Sequence, residues 1–161
     1  MAQIENPTTH RAFWRDEIVA KNIALQAFTE LEQGEALAAV KAGITSPYFV
    51  MLPPDFRTID QRTHNVQHAI DFGFFILKDP ANKGDREEIK TIQNDCFAIY
   101  KEILGRLEFL NDEKEYFGKY HATNTTCETV SKLFGGAQAG VMVFGQFVTK
   151  DSIKHDATKW T

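Results

Sequence analysis

The sequence predicts an α+β fold, an antiparallel β-sheet with helices packed on one face, in the order α-β-β-α-β-β. Three observations carry this. Apolar residues recur at helical spacing through two segments, about His10 to Gln33 and Arg86 to Leu110. Strict period-two alternation marks His68 to Lys78 and Val141 to Thr149. The 161 residues suit one domain, residues 1–161, with a polar tail from about 151 to 161.

Taken in order, Asn6-Pro7-Thr8-Thr9 offers capping groups ahead of the first helix, whose stripe is Phe13, Ala20, Ala24, Phe28 and Leu31. Gly34 interrupts it, and a further helical stretch, Glu35 to Ala42, ends at Gly43. Tyr48 to Leu52 reads as a short buried strand closed by Pro53-Pro54. A polar linker follows. In the next strand Ile70, Phe72, Phe74 and Ile76 share one face, and Asp71, Gly73 and Phe75 the other. Asp79 to Gly84 is a loop, and Asp85 caps the second helix, whose stripe runs Ile89, Ile92, Cys96, Ile99, Ile103, Leu107 and Leu110. Thr123 to Phe134 is rich in β-branched residues and reads as a strand. Gly135 to Gly140 is then a turn, and Val141 to Thr149 the closing strand.

Composition narrows the function classes. The chain is 43% hydrophobic and 25% charged, ordinary values for a globular domain, and a chain of this length buries roughly 70% of its unfolded surface without disulfide or metal. A net charge of −4 with no basic block argues against specific nucleic-acid binding. The longest apolar run, Phe72 to Leu77, is too short for a membrane span, which takes about 20 residues. The start of the sequence has no basic segment followed by an apolar run, so no secretory signal is expected. Cys96 and Cys127 lack metal or redox spacing and read as reduced thiols.

Each candidate site in the sequence also has a plainer structural role. Asp60, His64, His68 and Asp71 are spaced by four, four and three, which on a helix would align two imidazoles and two carboxylates for zinc or iron. Asp71 falls in the clearest strand, however, and in an extended chain His64 and His68 merely edge the core face. His10, His121 and His155 have no acidic or thiol neighbours in sequence. The Gly135, Gly136 and Gly140 run precedes a strand rather than a helix and has no Walker lysine, so it makes a hairpin turn. Cys127 and His121 form no sequence-defined nucleophile pair, no G-x-S-x-G elbow occurs, and Glu87-Glu88 and Asp112-Glu113 read as solvated. No catalytic, cofactor-binding or metal-ligating residue is therefore assigned.

Two features remain. Thirteen Phe and two Trp are many for this length, and two strands are apolar on both faces, so the sheet face away from the helices needs cover from the chain or from a neighbour. Trp160, after a polar stretch, suits a docking arm. The layout, an N-terminal helix, a strand like Tyr48–Leu52, a strand like Gln67–Lys78, a long helix like Arg86–Leu110 and a closing strand like Gly140–Thr149, resembles that of tail-terminator and head-to-tail completion proteins of tailed bacteriophages. The resemblance implies a non-enzymatic subunit that assembles with itself into a ring and meets other structural proteins, cytoplasmic during assembly and then part of the virion. It carries over no functional residue. The alternative is a small-molecule or metal-binding module or enzyme with His64 and His68 at a pocket rim.

Overall fold

In the computed structural model, which describes residues 3–31, 46–60, 66–82, 84–113, 116–132 and 138–149, the first helix begins where the sequence supplies its cap. The Asn6 side chain accepts from the Thr9 backbone N–H at 3.0 Å, and Thr9 Oγ1 accepts from the Asn6 N–H at 3.1 Å. This capping box, with Pro7 in the first turn, sets α1 over Pro7–Ala12. The helix continues as a π-helix, Phe13–Val19, in which Ala20 N–H reaches back five residues to the Arg15 carbonyl. It does not run on to Gln33. Asn22 Oδ1 accepts from the N–H groups of Ala24 and Leu25, turning the chain, and Ala27–Glu30 becomes β1. Phe28 thus reaches the core from a strand.

The remaining elements are β2 (Tyr48–Met51), β3 (Asp55–Asp60), β4 (Val66–Lys78), α2 (Arg86–Glu113), β5 (Lys119–Tyr120), a 3₁₀ turn (Ala122–Asn124), β6 (Thr126–Lys132) and β7 (Gln138–Val148). The fold is α+β as expected, but the order α-β-β-α-β-β omits three strands. β1 lay hidden in helical spacing, β3 in the polar linker, and β5 is only two residues long. The seven strands form one sheet, in which β1-β2-β4-β7-β5 is the main path, β3 also pairs with β4, and β6 with β7. All pairings are antiparallel except β1 with β2. Gly140 lies inside β7, not in the turn before it. The stretch Glu35 to Gly43, Gly135-Gly136 and the tail beyond residue 149 lie outside the described residues.

Both helices cover one face. Phe49, Ile70, Phe72, Phe74, Ile76, Val141, Val143 and Phe147 from the sheet share a core with Trp14, Ile18, Ile92, Cys96, Ile103 and Leu107. Asp85 Oδ1 caps α2 by accepting from the Glu87 and Glu88 N–H groups, and Glu88 in turn accepts from Ala81 and Asn82, clamping the β4–α2 loop. The opposite face carries a second cluster of Leu31, Tyr48, Val50, Phe75 and Leu77. These five are buried within the single chain, so its own packing supplies their cover.

The β4–β7 ladder is the longest pairing, ten residues from Ala69–Val148 to Lys78–Ala139. Two glycines let it close around aromatic rings. Phe72 faces Gly145 on the helix side and Gly73 faces Phe144 on the other. A methyl on Gly145 would come within 2.4 Å of the Phe72 ring, and one on Gly73 within 2.7 Å of the Phe144 ring. Gly140 differs, with φ +158° and a Cβ position 1.9 Å from the Ile76 carbonyl oxygen.

The three alanine variants should therefore separate in urea unfolding. Gly140→Ala collides with backbone and should lose more than ~3 kcal/mol or fail to fold. Gly145→Ala must displace Phe72, 2% exposed, and should cost roughly 1–3 kcal/mol. Gly73→Ala must move Phe144, 43% exposed, and the tip of the Leu52 side chain, and should cost less than Gly145→Ala, about 1 kcal/mol.

Candidate functional site

The constellation Asp60, His64, His68 and Asp71 is not a stripe in the folded chain. His64 lies outside the described residues, and Asp60 ends β3, paired with Val66. His68 and Asp71 sit on β4 at opposite parity, so their side chains leave opposite faces of the sheet. Asp71 is occupied: Arg57 Nη2 and Gln146 Nε2 donate to its Oδ1 at 2.8 and 2.7 Å. Burial opposes its ionisation, but the hydrogen bonds from Arg57 and Gln146 and the Arg57 charge outweigh burial and hold its pKa below the usual carboxylate range. His68 is tied through its backbone, its N–H to Thr149 Oγ1 and its carbonyl to Thr149 N–H. Among the described residues no three His, Cys, Asp or Glu side chains converge as metal ligands.

The Cys96 thiol is buried and the Cys127 thiol half-buried. Burial, with Asp95 nearby, pushes Cys96 up to about 12, and burial, with Glu128 nearby, pushes Cys127 up to about 11, so both are protonated at neutral pH. Burial, then the Lys119 charge, lowers His121. His155 and Trp160 lie outside the described residues.

Two buried polar groups sit on the N-terminal helix, His10, whose partner is the aromatic Trp14, and Glu17, which the sequence did not single out. His10 is fully buried, and its Nε2 accepts from Trp14 Nε1 at 2.9 Å. That bond fixes the proton on Nδ1, which has no hydrogen-bond partner among the described residues, and burial lowers the imidazole to about 4. Farther along, the π-helix carries Glu17 inward, 3% exposed, against Lys21 and Arg106. Burial opposes ionisation of Glu17, but hydrogen bonds from Lys21 and Tyr116 and the charges of Lys21 and Arg106 outweigh it, and its pKa lies below the ordinary value. The Glu17–Lys21 spacing of four was legible in sequence. The Arg106 contact spans 89 residues and was not.

Glu17, Lys21, Ile18, Glu102, Ile103 and Arg106 line a surface cleft of about 340 Å³ between the π-helix and α2. Its acids and bases face one another: Glu17 is neutralised by Lys21 and Arg106, and Glu102 accepts from Asn22 Nδ2 at 3.2 Å. This is a charge-balanced seam that fastens the first helix to α2. A second cleft, about 320 Å³, lies between Arg11 and Glu30 on one side and Met51, Pro53 and Pro54 on the other, closed in part by the Arg11–Glu30 ion pair at 2.9 Å. His68 lines neither cleft.

Ile23, on the turn after the π-helix, is 96% exposed, and Phe97, Phe109 and Phe144 are also exposed. Lys101 lies over the Phe97 ring and Arg106 over the Phe109 ring, at 5.6 and 5.3 Å. The sheet is open on both sides among the described residues, ending in β1 and β3 on one and β5 and β6 on the other. No described helix is long and apolar enough to cross a membrane. No protein-family model matches the chain, and comparison with curated proteins gives no match.

The buried His10 makes the fold acid-sensitive in a defined window. The unfolded imidazole titrates near 6.5 and the folded one near 4, so the unfolded chain binds more protons between those values. Stability from neutral His10 is complete above pH 6.5 and is lost as pH falls toward 4, by about 3 kcal/mol in full. Glu17, lowered from 4.5, loses its contribution only below that value. Urea unfolding at pH 7 and pH 4.5 should thus show a loss of roughly 2–3 kcal/mol in the wild type. His10→Gln, which keeps an acceptor for Trp14, should lose that increment less. An equal loss in both would remove His10 as its source.

Proposed function

We propose that this protein is a non-enzymatic assembly subunit, in its most specific form a ring-forming component of a tailed-phage neck or tail junction. One observation carries the reading: the sheet ends on both sides in strands without outer partners among the described residues. Paired strands satisfy their inner backbone groups, while edge strands present a row of N–H and C=O groups that another chain can join. An enzyme of this size would concentrate chemistry in a cleft. Here the buried polar groups described above secure helices and strands to each other.

The layout supports the same reading, with an N-terminal helix, central strands, a long second helix and a closing glycine-containing strand retained within the fuller sheet. The net charge of −4 suits a subunit beside a DNA passage, because such a surface does not retain phosphate.

Light scattering and negative-stain electron microscopy test this directly. The expected result is a closed ring, formed by the chain alone or on meeting tail tubes from the same source. A chain that stays monomeric at all concentrations and beside tail tubes overturns the reading.

A further inference from the structure

The two outer strands at one level of the sheet are matched to each other. Followed partner to partner through β2, β4 and β7, Ala27 of β1 lies in one row with Val130 of β6, Phe28 with Thr129, Thr29 with Glu128, and Glu30 with Cys127. β1 runs parallel to β2, and each later step across the sheet reverses direction, so β1 and β6 run in opposite senses. A second copy turned about an axis along the strands would present its β1 to β6 antiparallel, at equal height and with side-chain faces in phase.

The side chains fit that meeting. Ala27 and Val130 are half-covered residues at the two margins of the second apolar cluster, and Phe28 and Cys127 are half-covered members of the helix-side core. Each cluster therefore runs out to both edges with incompletely buried apolar surface. Pairing in the straight-across register sets Ala27 against Val130 and Phe28 against Thr129, an apolar pair and an aromatic–β-branched pair, and opposes no like charges. β6 carries no proline, and its one hydrogen bond from outside the ladder among the described residues is Gln93 Nε2 to the Val130 carbonyl.

We infer that β6 of one copy pairs antiparallel with β1 of the next, with Ala27 opposite Val130 and Glu30 opposite Cys127, and that this head-to-tail contact builds the ring. The inference rests on the assembly reading above and names its interface. Because the joined surfaces differ, the contact is heterologous and closes through rotation.

Native Cys127 provides the test. Glu30→Cys gives up the partly exposed ion pair with Arg11, worth about 0–1 kcal/mol, and sets a thiol opposite Cys127 of the neighbouring copy. After mild copper–phenanthroline oxidation of the full chain, alone and with tail tubes, non-reducing gels should show a ladder of covalent multimers. At least tenfold less should form with Thr29→Cys, whose side chain leaves the other face, or with Glu30→Cys combined with Cys127→Ser. If the wild type forms rings but Glu30→Cys gives no more multimer than Thr29→Cys, the β1–β6 interface is overturned and the ring reading stands. If no oligomer forms under any of these conditions, the assembly reading itself fails.

Discussion

The β4–β7 ladder is the constraint on which the rest of this molecule depends. Each of the other pairings attaches to it directly or through β2, and both apolar clusters are built on its two faces. Its closure is set by reciprocal pairs, Phe72 over Gly145 on one face and Phe144 over Gly73 on the other. An aromatic ring laid across a glycine covers the backbone that glycine leaves bare. The two opposed pairs also pin the register, since a one-residue slip would bring each ring against a side chain and exchange the faces. Gly140 adds a third restraint, admitting the Ile76 carbonyl where any Cβ would collide.

The helical layer is positioned against that ladder by one aromatic centre. Trp14 is fully buried and lies 5.0 Å from both Phe72 and Phe74, and 5.5 Å from Phe49, between ring centroids. Its indole N–H would be unsatisfied in this apolar setting, and His10 one turn earlier supplies the acceptor. The same bond obliges the imidazole to remain neutral, which couples the tightest part of the core to acid. Glu17 then fastens the end of the π-helix to α2 through Arg106. The wider π turn carries Glu17 and Ile18 toward α2 while Trp14 stays over the sheet.

The abundance of aromatic residues thus has a largely internal explanation. Most serve the helix-side core, and the second apolar face is buried by the chain itself. The remaining surface capacity for association lies at the strand edges and in a few exposed apolar side chains. The edges combine backbone groups without outer partners among the described residues, apolar margins and opposite strand sense, and these properties are directional where an apolar face alone is not. A contact specified by register can fix both orientation and height of a neighbour, as the proposed ring would require.

Sequence alone determined the α+β class, β4 by its alternation, α2 by its three-and-four stepping with Asp85 as cap, and the presence of capping groups at Asn6 to Thr9, although α1 starts at Pro7 and not near His10. These are local signals, written in spacing and in side chains that reach only their neighbours. It determined little of the candidate interface. Ala27 to Glu30 carried helical spacing, and only the Asn22 turn with pairing to β2 made it a strand. Asp55 to Asp60 looked like a linker until β4 offered it a partner. The row joining Ala27 to Val130 passes through four ladders and exists only in three dimensions. Likewise the depth of Glu17 depends on Arg106, far away in sequence. Tertiary structure decided these features because the free energy that selects them comes from pairing and burial between distant segments, to which short-range periodicity is blind.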